Sequence, residues 1–181
     1  MVESALVTPL LMIFLFGIFE FGFAFRDYLG VANSTRDGVR AASVAGDDLD
    51  ADFRALSSIR RAGAALPDGT IQRIVIYKAS GPDADPSATC AAGTSVVNEC
   101  NAYLASDLNR PVDQFGCASS TIAPFAPDRF WCPSARQTSA GSGLDYVGVY
   151  MVVQHDYVTG LFGNAITFDD QIVLKVEPQS Q

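Results

Sequence analysis

The four cysteines are the residues whose types and spacing point most directly to a chemistry. Cys90, Cys100, Cys117 and Cys132 all lie in one stretch rich in Gly, Ser, Thr and Asp. Their spacing lacks the C-x-x-C pairs of a zinc site, and the chain has only one histidine, so we expect no metal site. Two disulfides in an oxidising compartment are the better interpretation, with buried free thiols as the alternative. Short loops close with the least entropy loss, which favours the sequential pairing Cys90–Cys100 and Cys117–Cys132.

The one histidine, His155, raises the question of hydrolytic catalysis. By residue type alone, a hydrolytic triad with His155 could be completed by Ser119 or Ser120 and one of several aspartates. No G-x-S-x-G turn is present to expose a nucleophile, and His155 lies near the end of a predicted strand. We therefore expect a structural histidine, no catalytic residue and no cofactor. A membrane-tethered hydrolase that uses His155 is the rival hypothesis from the enzyme class.

Two carboxylates belong to the N-terminal part of the chain: Glu3 lies at the edge of an apolar run, and Glu20 lies within it. Within residues 5–25 only Thr8 and Glu20 are strongly polar, and about 20 apolar residues suffice to cross a bilayer. No basic residue precedes the run and no small-residue cleavage pattern follows it, so we expect a retained membrane span rather than a signal peptide. Ionisable groups inside a span usually face a partner or water. Glu20 is therefore expected either to contact a partner or to snorkel to the interface.

The helix that carries these residues is predicted to continue beyond the membrane, from about residue 4 to residue 45. A stripe of mostly small side chains recurs at helical spacing along its second half and would let the backbone lie close to another surface, here a sheet. The stripe consists of Val31, Ser34, Gly38, Ala41 and Ala45. Gly46 then ends the helix, and we predict an assembly helix over residues 1–46 and a separate head over residues 47–181.

In the head, apolar spacing from Leu49 to Ile59 predicts a second, amphipathic helix that ends before Pro67. β-Branched and alternating residues predict strands over residues 71–79, 146–156 and 172–176, the last two joined by a hairpin-like return. Residues 81–143 are predicted to be mostly irregular, with a short helix over residues 98–108. The resulting fold class is α+β, in which the long helix covers a small, mostly antiparallel sheet.

Trp131 and its neighbours belong to the second half of the irregular region. Phe125, Phe130 and Trp131 are predicted to form either a contact surface or a small satellite core pinned by Cys117 and Cys132.

The charge of the chain indicates which class of partner is not expected. The net charge is −8, and no Lys/Arg cluster is present that could neutralise phosphates, so nucleic-acid binding is not expected.

Four segments resemble the TadE-like minor pilin (pseudopilin) family of tight-adherence pilus systems, which are type IV-like. Residues 2–11 read V-E-S-A-L-V-T-P-L-L, similar to the family's V-E-x-A-L-x-x-P-L-L opening. Residues 17–22 and 33–42 are similar to its G-I-x-E-F-G and N-A-A-R-E-G-A-R-A-A elements. Residues 172–178 are close to its terminal strand. The resemblance is most specific over residues 2–46 and implies a type IV pilin-like architecture.

The resemblance implies a structural activity: a minor pilin that helps to assemble surface filaments for adhesion. Glu3 would then neutralise the terminal amine of a neighbouring subunit, whereas the alternative is a carboxylate favoured by the helix dipole. Glu20 is the second candidate assembly residue. The expected partners are other pilin subunits and the assembly machinery, with no small-molecule substrate. The expected location is the bacterial cytoplasmic membrane, as a single-pass protein with its head extracytoplasmic, and the extracellular pilus.

A second hypothesis comes from the class of binding modules. A single-span, membrane-anchored extracytoplasmic protein would capture a ligand with its disulfide-containing loops and would not polymerise. A pilus subunit should shear off cells with filaments, whereas an anchored receptor should stay with the membrane.

Overall fold

One long helix, two short helical segments and a four-stranded sheet make up the chain in the computed structural model, which describes residues 2–117, 125–139, 141 and 143–178. The helices are α1 (Val2–Ala45), α2 (Ala51–Ala62) and α3 (Ala88–Ala91). The strands are β1 (Ile71–Ala79), β2 (Cys100–Tyr103), β3 (Tyr146–Asp156) and β4 (Ala165–Lys175). The predicted α+β class is confirmed.

Helix α1 is one uninterrupted helix of 44 residues, about 66 Å long at 1.5 Å per residue. Its first half has few contacts with the rest of the chain, and large apolar side chains from Val7 to Phe25 are exposed on most sides. Its second half packs on α2, β3 and β4. The exposed side of this half carries Arg36, Asp37 and Arg40.

The sheet has the strand order β2-β1-β3-β4, and every neighbouring pair is antiparallel. Strands β3 and β4 form a long hairpin in which Tyr146 pairs with Lys175 and Asp156 with Ala165. The hairpin tip, residues 157–164, therefore extends beyond the sheet toward the N-terminal half of α1. Ser43 fixes the other end of the hairpin to α1, because its Oγ donates to the carbonyl of Lys175 at 2.7 Å.

Both faces of the sheet are covered. On one face Val147, Val149, Met151 and Val153, which alternate along β3, join the main core beneath α1 and α2. On the other face a smaller core forms around Val75, Tyr77, Cys90 and Cys100. The irregular chain between β1 and β2 closes over this second face, and the Tyr77 hydroxyl donates to the carbonyl of Ala84 at 2.7 Å.

Small residues on α1 let α2 approach closely. A Cβ atom added at Gly38 would lie 2.5 Å from Cγ1 of Ile59, and one added at Gly30 would lie 2.9 Å from Cδ2 of Leu66. The prediction that small residues allow close packing therefore holds, but at Gly38 the packed surface is α2 and not the sheet. Ala42, and not Ala41, is the fully buried alanine of this turn.

Three expectations for the head were wrong in detail. Residues 98–108 contain strand β2 and a 3-10 helix (Ala105–Asn109) in place of a helix, because Ile74 to Tyr77 pair with this segment. Strand β4 begins at Ala165, seven residues before the predicted start, and pairs along the whole of β3. Trp131 belongs to the main core and not to a satellite core, whereas Phe125 is exposed.

The contact at Gly38 generates a test of how α1 is held on the head. We expect Gly38→Leu to lower the free energy of unfolding by about 1–3 kcal/mol, the usual cost of overpacking a core. Gly22→Leu is the matched control, since a Cβ atom there meets nothing within 4 Å and both changes gain similar helix propensity. Thermal unfolding of the full chain in detergent measures both, and equal melting temperatures would contradict the packing described.

Candidate functional site

The inner face of α1 carries a stripe of buried residues that continues below the head. Going from Val31 toward the N-terminus, the buried positions are Asp27, Ala24, Glu20 and Gly17, at alternating spacings of four and three. This is the spacing of one helix face. The sequence pattern identified the stripe only from Val31 onward, because two of its four lower positions are carboxylates, which do not count as apolar.

Glu20 is held by the hairpin tip. Its carboxylate accepts hydrogen bonds from the backbone N–H of Val158 at 3.0 Å and of Thr159 at 2.5 Å. The Thr159 hydroxyl also donates to it, at 2.7 Å. Glu20 is 1% exposed, because the hairpin tip of its own chain covers it. Its predicted role in subunit assembly stays a prediction.

Asp27, two turns further along the stripe, pairs with the one histidine. Its Oδ2 lies 2.7 Å from Nδ1 of His155, and both side chains are buried. Among the described residues, Nε2 of His155 has no hydrogen-bond partner. The ring packs edge-on against Tyr157 with the ring centroids 5.8 Å apart. His155 therefore joins β3 to α1, and this contact supports the structural interpretation of the residue.

The other predicted site residues divide into those that the structure describes and those that it does not. The backbone of Glu3 belongs to α1, but its side chain lies outside the described part of the structure. Ser119 and Ser120, the serines considered for a catalytic triad with His155, also lie outside the described residues. In the parts of the chain that the structure does describe, no group of three or more His, Cys, Asp or Glu residues is placed to hold a metal ion.

The cysteines form the sequential pairs Cys90–Cys100 and Cys117–Cys132, with Cα atoms 6.2 Å and 5.6 Å apart. The first bond lies in the core on the outer face of the sheet and ties α3 to β2. The second joins two points in the second half of the irregular region, next to Trp131. Both bonds constrain segments that have little regular structure of their own.

A buried polar network holds the irregular region against α2. At its centre Asp52, on α2, binds the guanidinium of Arg136 and accepts from Nδ2 of Asn101 at 2.9 Å and from the hydroxyl of Tyr103 at 2.5 Å. Asn101 in turn bonds the backbone N–H and carbonyl of Trp131 at 2.9 and 2.8 Å. Burial is the main cause that raises the pKa of Tyr103, and the negative charge of Asp52 is the second. The Tyr103 hydroxyl therefore stays protonated and donates.

A second buried carboxylate, Asp128, accepts the backbone N–H of Gly116 at 2.9 Å, next to the Cys117–Cys132 bond. Burial raises the pKa of Asp128, because the charged form loses hydration there. Sequence reasoning missed this network. Asp52 lies 49 residues from Asn101 and 84 from Arg136, so no local spacing signals that they meet.

The sequence of α1 can be compared with known protein families. Residues 1–40 match the family model described as TadE-like protein. The N-terminal segment is TadE-like. This match confirms the resemblance over residues 1–40, and it ends within the part of α1 that packs on the head. TadE-like proteins form a family associated with pilus systems. No curated protein and no solved structure matches the chain.

The buried network generates a stability prediction. We expect Asp52→Ala to lower the free energy of unfolding by about 3–5 kcal/mol, because the buried Arg136 loses its counter-charge. Asp48→Ala is the matched control: it also removes an ion pair, with Arg54, but both side chains are at least half exposed, so the loss should be small. Urea unfolding measures both variants. Similar losses for the two would mean that Asp52 does not organise the irregular region.

Proposed function

We propose that the chain is a structural subunit of a tight-adherence pilus, a minor pilin whose apolar helix serves assembly and whose head is displayed outside the membrane. The observation that carries this proposal is the character of α1. Residues 1–40 are TadE-like; the first half of α1 is apolar on nearly every side, while its second half is part of the folded head.

The first half of α1 fits a membrane better than water. Among the described residues, α1 is the one helix that is long and apolar enough to cross a bilayer, with a mean hydropathy of 2.0 over an 18-residue window. A helix that is apolar all round needs either lipid or other helices around it. A pilin-like subunit meets both environments, lipid before assembly and neighbouring helices afterward.

The head suits an oxidising, extracytoplasmic compartment. Disulfides such as its two persist in an oxidising compartment and would not persist in a reducing compartment such as the cytosol. We therefore propose a single-pass topology with the N-terminus cytoplasmic and the head outside. In this arrangement the partners of the chain are other pilin subunits and the assembly machinery, and the displayed head promotes adhesion.

Glu3 tests the assembly role. If Glu3 pairs with a neighbour's terminal amine in the membrane, Glu3→Ala leaves that amine buried without a counter-charge. Breaking one side of such a pair costs about 3–5 kcal/mol, enough to lower association more than about a hundredfold. We expect Glu3→Ala to reduce incorporation into sheared filaments and to leave the amount of membrane-inserted protein unchanged, as measured by immunoblotting of both fractions.

Three further variants sharpen this experiment. Glu3→Asp keeps the charge and should be partly tolerated, whereas Glu3→Gln should behave like Glu3→Ala. Glu177→Ala removes an exposed carboxylate of the head and should leave incorporation unchanged. Equal incorporation of all Glu3 variants and the parent would mean that Glu3 is a solvated carboxylate at a helix start.

A further inference from the structure

The hairpin tip between β3 and β4 lies beside the apolar half of α1. The ring of Phe162 lies 3.2 Å from the position that a Cβ atom of Gly17 would occupy, and its centroid is 5.4 Å from that of Phe21. Gly17 precedes Phe25, the end of the apolar run, by eight residues, or about 12 Å of helix. The tip therefore reaches well below the level at which the apolar run ends.

The tip itself is uncharged and apolar on its outer side. Residues 157–164 read Y-V-T-G-L-F-G-N and include no Asp, Glu, Lys or Arg. Val158, Leu161 and Phe162 are 78%, 55% and 42% exposed. In water these side chains would be an unexplained apolar surface on a chain of net charge −8.

Several polar groups of the tip are bonded within the chain. The Glu20 carboxylate accepts hydrogen bonds from the backbone N–H groups of Val158 and Thr159. The Thr159 hydroxyl accepts one from the backbone N–H of Leu161 at 3.3 Å. The backbone N–H of Tyr157 donates to the carbonyl of Asn164 at 2.9 Å. Backbone groups that enter a bilayer need such internal partners, since lipid offers none. Glu20 and the tip thus satisfy each other at a depth where either one alone would be costly.

An apolar groove continues this surface toward the head. It has a volume of about 510 Å³ and lies between α1 and β4. Its lining residues include Phe21, Phe25, Tyr28, Ile166 and Phe168. The rings of Tyr28 and Phe168 meet edge-on with centroids 5.8 Å apart. Aromatic side chains at the end of an apolar span are typical of the boundary between acyl chains and headgroups.

We propose that the hairpin tip is a second membrane contact, in which Val158, Leu161 and Phe162 enter the lipid leaflet on the head side and Glu20 holds them at that depth. The inference rests on the membrane anchoring under the proposed function. It adds a lipid-binding role for β3 and β4 and a positioning role for Glu20 that needs no neighbouring subunit.

Lipid is the occupant that the geometry favours over a second copy of the chain. The tip is fixed to α1 at the level of Glu20, so a bilayer that surrounds residues 5–25 surrounds the tip as well. A second copy would have to find this surface after insertion, and the Glu20 carboxylate is already bonded within its own chain.

Lipid contact can be measured with a fluorescent probe at single introduced cysteines, since the four native cysteines are paired. The full chain with Leu161→Cys is labelled with an NBD group and reconstituted in phosphatidylcholine vesicles that contain some phosphatidylglycerol and spin-labelled lipid. Phe14→Cys, exposed on the span, reports anchoring, and Val97→Cys, an exposed aliphatic position on the head, is the matched control. We expect quenching at 161 to be severalfold greater than at 97 and similar to that at 14.

The possible outcomes separate the two proposals. Quenching at 14 but not at 161 would overturn the second membrane contact and leave the anchoring intact. Absence of quenching at 14 would overturn both. A probe at 161 that is shielded from lipid and water alike, and becomes accessible when the protein is diluted in lipid, would identify a second copy as the occupant and overturn the proposal.

Glu20→Ala tests the positioning role. We expect it to reduce quenching at 161 toward the value at 97, because the tip loses the acceptor of two backbone N–H groups, while quenching at 14 stays unchanged. Glu20→Gln keeps one acceptor oxygen and should retain part of the effect. Unchanged quenching at 161 in Glu20→Ala would show that Glu20 does not set the depth of the tip.

Discussion

The packing of one face of α1 against the head is the interaction on which the rest of the structure depends. A 44-residue helix has to satisfy two environments without a break. Small residues such as Gly38 and Ala42 allow α2 and the sheet to lie against its second half, so the main core forms around the helix. The same buried stripe continues to Gly17, which brings the hairpin of β3 and β4 alongside the apolar half.

Two carboxylates on this stripe join the helix to the hairpin. Glu20 bonds the hairpin tip and Asp27 bonds His155, so the two contacts are two helical turns apart on one face. Buried carboxylates are costly without partners and specific when they have them. The contacts fix the direction in which the head leaves α1, and a rigid junction of this kind suits a subunit whose helix and head must be placed together in an assembly.

The sequence predicts regular elements well and long-range polar contacts poorly. The bounds of β1 and β3 follow from β-branching and strict alternation, and the length of α1 follows from an apolar run that continues as a small-residue stripe. Strand β2 escaped prediction because its four residues, Cys100–Tyr103, carry little periodic signal and become a strand only beside β1. Its tertiary pairing overrides local preference.

In the candidate site, too, some contacts can be predicted from the sequence and others cannot. The cysteine pairs follow from loop length, but the partner of Glu20 does not follow from any pattern, since Thr159 lies 139 residues away. Asp52 and Arg136 likewise meet only in the folded chain. A signal was available in retrospect: Glu20 and Asp27 lie on the same helix face as Val31, Ser34 and Gly38, so a stripe extended through its polar members would have placed both carboxylates against the hairpin.

Fractionation after mechanical shearing tests the proposed pilus role most directly. Cells that express the full chain with Ser139→Cys are treated with a membrane-impermeant thiol reagent, sheared, and separated into filaments and membranes. A pilus subunit with an external head should be labelled on intact cells, and a share of the labelled protein should leave with the filaments. A chain that is labelled only after lysis, or that stays entirely with the membranes, would contradict the account.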